Sequence, residues 1–337
     1  ITIYNQDSIK AFYQEIPQEI SQSLKPYGYF KSSAVSGALF HKNNKWENTF
    51  RVNLGPPLRI ISIDLKIQGA GAADKILLQK LRKFPLKNGE IFRVGKYNAA
   101  KQFLFDSADS YGYATAFLTD KEVQIDLEKN TANIILHFDT GPQYYFGDTA
   151  FTVPYFRKTF LAKFLPYKKG EIYTAKKLNA LQNELSNSDY FQRINVKPEI
   201  AKNKLYEVPV EVTLTPRKAK QYSLGLGFGT DTGVRASAGM DMRYSSPIGH
   251  GFKAWVQGSQ VQNELEIHYL VPGKRMPTNL YDFNLIGRTL NFNDNKSSAG
   301  QLGVGYVTVL KGWRQTVKLG LQHERYQLVG QPYEIST

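Results

Sequence analysis

After Pro216 the chain adopts a period of two and keeps it: apolar or aromatic residues stand at alternate positions, with small, polar or charged residues between them. Tyr222, Leu224, Leu226 and Phe228 fall on one face of the first such stretch, and Ser223, Gly225 and Gly227 on the other. The next stretch sets Val234, Ala236, Ala238, Met240, Met242 and Tyr244 against Arg235, Ser237, Gly239, Asp241 and Arg243, so every charge lies on one face. Successive side chains of a strand point to opposite faces, and this pattern predicts strands half exposed to an apolar environment. Similar stretches follow at 252–260, 264–270, 280–288, 302–309 and 317–325, joined by short turns such as Gly229-Thr230-Asp231-Thr232-Gly233 and Leu310-Lys311-Gly312. About seven consecutive antiparallel strands are expected over 217–337.

Two architectures accept such strands. A soluble sandwich or barrel turns the apolar face inward, whereas a transmembrane barrel turns it outward to lipid. Several stretches approach the ~9–11 residues that a tilted membrane strand needs. Their other face carries Arg235, Asp241, Arg243, Lys253, Glu264, Glu266 and His268, as a wet lumen would. The membrane reading is therefore the expectation. Seven strands do not close a barrel of this type, and Tyr333-Glu334-Ile335-Ser336-Thr337 does not read as a closing strand, so the barrel is expected to be incomplete.

Ahead of the strands lies a repeat. Pro85-Leu86-Lys87-Asn88-Gly89-Glu90-Ile91-Phe92 returns 81 residues later as Pro166-Tyr167-Lys168-Lys169-Gly170-Glu171-Ile172-Tyr173. Each copy follows an amphipathic stretch (73–84; 156–165) and precedes a longer one (97–110; 175–188), with apolar residues at helical spacing. Tyr111-Gly112-Tyr113 and Asp189-Tyr190-Phe191 end the second helices, and β-branched alternation follows. One module thus reads β-α-α-β-β. A partial copy, with a helix near 8–26 and Tyr27-Gly28-Tyr29-Phe30, opens the chain. The expected divisions are a partial module at 1–57, full modules at 58–142 and 143–216, and the strands of 217–337. In each full loop Pro85 and Gly89, or Pro166 and Gly170, are expected to turn the chain between two helices and to mark the module.

Composition narrows the function. The net charge of +14 is spread as +8 over 1–216 and +6 over 217–337, without the focused basic face that nucleic acid selects. A solvated basic surface, facing anionic headgroups, is expected instead. The chain has no cysteine, which leaves no disulfide framework or thiolate metal site. No apolar run approaches the ~18 residues of a membrane helix, and no signal peptide is visible at Ile1.

Three enzyme-like patterns compete. Asp139-Thr140-Gly141 and Asp231-Thr232-Gly233 both spell the triplet with which aspartic proteases pair two carboxylates, and Leu285-Ile286-Gly287-Arg288 follows the second. Asp, Thr and Gly are equally turn formers, and Pro142 after the first triplet departs from the protease pattern. His41, His137, His250, His268 and His323 lack metal-ligand spacing. Gly225-x-Gly227-x-Gly229 leads into a strand, where a nucleotide loop would lead into a helix. No catalytic, cofactor or metal residue is assigned.

Read together, Leu24 to Phe30, the two Pro-x-Lys-x-Gly-Glu-Ile-aromatic loops, 187–191, Leu214-Thr215-Pro216-Arg217, 225–235 and the turn Ser246 to Phe252 resemble the POTRA-plus-barrel proteins of the BamA superfamily, and most closely its TamA-like members. The resemblance implies α+β POTRA repeats followed by the first part of an antiparallel transmembrane barrel of about sixteen strands. It implies an outer-membrane factor of a diderm bacterium, POTRA domains in the periplasm, that assembles or translocates barrel or autotransporter clients. Clients would add to POTRA sheet edges by β-augmentation. They would then reach the membrane through a lateral gate at the first strand, carried by Tyr222, Leu224, Gly225, Leu226, Gly227 and Phe228, whose glycines would weaken the seam. It further implies unfolded clients, a TamB-like inner-membrane-anchored partner and outer-membrane lipid as contacts. A BamA-like core factor or a two-partner-secretion transporter is the alternative. The family's Arg-Gly-aromatic loop and closing strand do not occur within the sequence.

Overall fold

The computed structural model describes residues 6–42, 45–200, 206–230, 233–292, 295–310 and 312–336. They form two compact units: Ile1–Tyr145 with Ile172–Ala175 and Lys204–Tyr206, and Phe146–Glu171 with Lys176–Asn203 and Glu207–Thr337.

In the first unit, helix α1 (Gln6–Leu24) precedes β1 (Ser33–Ser36), β2 (Phe40–Lys42), β3 (Lys45–Glu47) and β4 (Phe50–Asn53). β1 pairs antiparallel with β4, and β2 with β3, so a small hairpin interrupts the opening strand pair. A full strand-helix-helix-strand-strand set follows: β5 (Arg59–Gln68), α2 (Lys75–Leu81), α3 (Val94–Ser110), β6 (Phe117–Asp126) and β7 (Thr131–Asp139). Its sheet runs β5-β7-β6, with β5 parallel and β6 antiparallel to the central β7. Ala132, Ile134, Leu136 and Phe138 alternate into the core, where they meet Tyr97 and Ala100 at one end and Leu77, Leu81 and Leu104 at the other. Each fully buried Leu or Phe there contributes ~1.5–3 kcal/mol.

The helix expected over 73–84 is shorter. A 3₁₀ turn occupies Ala70–Ala73, and Asp74 then takes extended angles and caps α2, its carboxylate accepting from Ile76 N at 2.9 Å and Leu77 N at 3.2 Å. An extended residue whose oxygen satisfies the first amides is how helices start, so α2 begins after Asp74.

The second set comprises β8 (Tyr145–Thr152), α4 (Lys158–Leu161), α5 (Ala175–Ser186), β9 (Phe191–Pro198) and β10 (Glu207–Pro216), with sheet order β8-β10-β9. Here the helix expected over 156–165 reduces to one α turn and a 3₁₀ turn, Ala162–Phe164. Pro166 pushes Leu165 to an extended conformation, φ −73° and ψ 118°, and ends the segment. The helical spacing of Phe156, Phe160 and Phe164 builds an aromatic cluster instead.

From Lys220 the second unit is one eight-stranded antiparallel sheet in chain order: β11 (Lys220–Gly229), β12 (Gly233–Met242), β13 (Gly251–Ser259), β14 (Gln262–Pro272), β15 (Leu280–Phe292), β16 (Asn295–Leu310), β17 (Trp313–Gln327) and β18 (Glu334–Ser336). The strands run longer than the alternation predicts, and the three-residue β18, where no strand was expected, pairs with the end of β17. The apolar faces are bare. Among the described residues no Ala, Val, Leu, Ile, Met or aromatic side chain of these eight strands is buried, Met276 lying in the turn between β14 and β15, while Leu302, Val317, Leu319 and Leu321 stand exposed on the outer face. A sandwich core closed within the described residues would bury them, whereas a barrel wall turned outward to lipid leaves them bare. Among the described residues no helix is long and apolar enough to cross a membrane.

Candidate functional site

The candidate gate strand, β11, is one edge of the sheet. Its ladder to β12 runs unbroken from Lys220↔Met242 to Gly229↔Gly233, and among the described residues its other edge has no partner. Leu224 and Leu226 are each 88% exposed, with Tyr222 and Phe228 beside them. On the opposite face the glycines make room: a Cβ on Gly225 would meet Ser237 Oγ, and one on Gly227 would meet the Arg235 side chain. They accommodate β12's polar groups without a register shift in that ladder. β11 therefore combines a lipid-like outer face with, among the described residues, pairing on one side only.

The polar face behind it is knit by charge. Asp241 pairs with Lys253 at 2.9 Å, Arg288 with Glu264 and Glu266, and His268 with Asp282 at 2.9 Å. Opposite charges facing one another on adjacent strands stabilise the pairing of this face.

At the base of β11 and β12 the sheet is bound to the set β8–β10. Asp189, at φ +60°, faces Arg243 at 3.1 Å and Arg217 at 3.4 Å. Arg243 also donates to Lys218 O and Gln221 Oε1, and Tyr244 donates to Arg217 O at 2.7 Å, so one guanidinium and one phenol fasten the start of β11. Tyr190 is buried among Phe156, Phe160, Phe164 and Tyr244, with Phe160 5.1 Å away centroid to centroid. That burial pushes its phenol well above the ordinary tyrosine range. Its hydroxyl donates to Gly249 O, Arg157 N donates to Pro247 O, and Lys163 reaches Pro272 O at 2.9 Å. A cleft of about 310 Å³ beside this joint is lined by Asp189, Tyr190, Asp241, Arg243, Lys253 and Arg314.

The marker residues sit in loops. Pro85 and Gly89 (φ +85°) lie between α2 and α3, and Pro166 and Gly170 (φ +81°) between the 3₁₀ turn and α5. The loops do more than turn the chain, because each lays a short extended piece along the first strand of its own set. Ile60 N donates to Glu90 O and Gly89 N to Ile60 O; Phe146 N donates to Glu171 O and Gly170 N to Phe146 O. The starts of β5 and β8 are thereby covered, and among the described residues β6 and β9 are the outer edges of their sheets without a further strand beside them. Sequence periodicity could not register these bonds, which are made by loop backbone and carry no side-chain signal.

The competing patterns acquire structural roles. Thr140 is fully buried, accepting from Gly71 N at 2.8 Å and donating to Gln68 O, while Asp139 accepts from Gly141 N: a turn clasp. Asp231 and Thr232 of the second triplet lie outside the described residues. Among the described residues no cluster of His, Asp or Glu could hold a metal ion.

Comparison with known proteins agrees with this geometry. Residues 144–217 match the POTRA family model, described as a surface antigen variable number repeat. BamA from Haemophilus ducreyi lacking POTRA domains 1–3 superposes with a TM-score of 0.62 at 16% identity, over 81% of this chain and 52% of that one. CdiB from Acinetobacter baumannii is 14% identical with a TM-score of 0.49, over 99% of this chain and 64% of that one. The chain thus spans about half the length of the BamA chain it matches. Its fold is that of this BamA chain: a POTRA domain at 144–217 followed by a large antiparallel sheet that corresponds to part of a barrel.

Proposed function

We propose that the chain is the POTRA region and leading barrel wall of an outer-membrane protein assembly or translocation factor, with its POTRA modules, at 1–57, 58–142 and 143–216, in the periplasm of a diderm bacterium. The observation that carries this reading is β11: the first strand and one edge of the described sheet, with its apolar side chains facing outward, directly after a POTRA domain. An extended client strand can pair with such an edge through backbone bonds alone, without its side chains being read. The open edges of β6 and β9 offer the same chemistry in the aqueous compartment. Tyr222, Leu224, Gly225, Leu226, Gly227 and Phe228 then form the lipid side and the lumen side of a lateral gate. Barrel or autotransporter proteins are the clients, and a TamB-like inner-membrane-anchored protein is the periplasmic partner that the TamA-like sequence pattern suggests.

A photo-crosslinking residue at Ser223 in the parent protein, in its membrane, should capture folding outer-membrane clients. The same residue at Lys253, in the interior strand β13, should capture none. Adducts equal at both positions, or absent from Ser223, would remove the gate from this reading.

A further inference from the structure

The loop Pro-x-Lys-x-Gly-Glu-Ile-aromatic makes a second contact, to the turn that ends the preceding module. In the first copy, Leu58 N donates to Gly28 O at 2.8 Å and Phe92 N donates to Leu58 O at 2.8 Å. Gly28 has φ +94°, and a Cβ there would strike Phe92 O and the Ile91 side chain. In the second copy, Tyr144 N donates to Gly112 O at 2.8 Å and Tyr173 N to Tyr144 O at 3.0 Å. Gly112 has φ +86°, and a Cβ there would meet Ile172 and Tyr144 O. Both joints lie within the first unit. Each isoleucine is also bridged in the backbone sense to its own first strand, Ile91 to Arg59 and Ile172 to Tyr145.

We infer that this loop is a module-coupling peg: its isoleucine seats on the left-handed glycine of the preceding Tyr-Gly-Tyr turn and, in the first copy, holds the opening module and the next in one orientation. Only glycine combines a positive φ with the absence of the atom that would hold the isoleucine off. The last module shows what happens where no further module follows. Its left-handed turn residue is Asp189 and not glycine, and in place of an isoleucine it receives Arg217 and Arg243. The same turn position thus specifies the kind of joint, glycine for a module and aspartate for the sheet. The joint holds whether or not the sheet edge accepts clients.

The absence of cysteine allows clean labelling of the full chain. Spin labels on Gln22→Cys in α1 and Lys121→Cys in β6 report the distance between the opening module and the next by pulsed electron resonance. The labelled parent, and Lys87→Ala on the exposed side of the loop, should give one narrow distance distribution. Ile91→Ala should broaden it roughly twofold, because domains without a tight interface move by default. Gly28→Val should do the same. Unchanged widths in Ile91→Ala, with unchanged helix content by circular dichroism, would overturn the inference; should Gly28→Val lower the helix content, Ile91→Ala alone decides.

Discussion

The hydroxyl of Tyr190 donates to the backbone carbonyl of Gly249 at 2.6 Å, linking the turn before β9 to the turn between β12 and β13. The bond lies inside an aromatic cluster, where water cannot replace it. Tyr190→Phe removes the donor and strands the carbonyl, so it should destabilise the second unit by ~1–3 kcal/mol in urea unfolding of the detergent-solubilised chain. Gly249 itself, at φ +78°, lies so close to Phe160 that a Cβ would overlap the ring. Gly249→Val should cost more than Tyr190→Phe, and Phe160→Ala should recover part of that loss.

Asp74 has two tasks, capping α2 and accepting the Tyr113 hydroxyl at 2.9 Å. Partial burial and that carboxylate raise the Tyr113 phenol to about 12. Asp74→Ala should lower stability by ~1 kcal/mol through the cap. In the same variant Tyr113 should ionise at lower pH, which ultraviolet difference titration of the phenolate reads directly.

On the outer face of the sheet β5-β7-β6, His137 lies between Asp64, at 3.1 Å, and Asp120, at 2.6 Å. Its hydrogen bond to Asp64, and then that to Asp120, raise its pKa above 6.5, while Lys66 opposes the shift. The His137 and Lys66 bonds lower that of Asp64. A raised histidine stabilises fully below its unfolded pKa and loses the contribution as pH rises through the folded one. A lowered carboxylate stabilises above its unfolded pKa and loses the contribution as pH falls through the folded one. The unfolding midpoint should therefore fall on the alkaline side as pH passes the folded pKa of His137, and His137→Gln should remove that fall. Proton resonance of the imidazole checks the titration itself.

How much of this could be read along the chain depends on what each element needs. The wall β11–β17 demands only a period of two, and the order of small, charged and apolar residues from Tyr222 to Arg325 supplied it. Longer strands escaped notice because Asn291, Lys296 and Ser297 at their ends carry no apolar signal, although they pair. The segment at Phe156 reads as a helix since phenylalanines at every fourth position satisfy helical spacing, yet Pro166 and the ring cluster confine it to single turns. Gly89 and Gly170 were legible as turn glycines. The partners of their loops, Gly28 and Gly112, stand 61 and 58 residues before these glycines and were not legible, because contact between distant residues leaves no periodic trace. The place of β11 at the head of the described sheet likewise follows from sheet order and not from its own residues.

If the bare apolar face meets lipid, charge there is penalised and charge on the other face is not. Leu226→Arg in β11 should cost ~2–4 kcal/mol of insertion free energy near the bilayer centre. Ser237→Arg, on the lumen side of β12, should insert normally in the same vesicle-folding assay.

The central claim is that one face of the sheet contacts lipid and the other water, and an accessibility scan along β12 tests it most directly. Single cysteines from Val234 to Met242, spin-labelled in the chain folded into bilayers, are challenged with oxygen, which concentrates in lipid, and with a water-soluble nickel chelate. Labels at 234, 236, 238, 240 and 242 should favour oxygen, and those at 235, 237, 239 and 241 should favour the chelate. The opposite phase, or no period of two, would contradict the account.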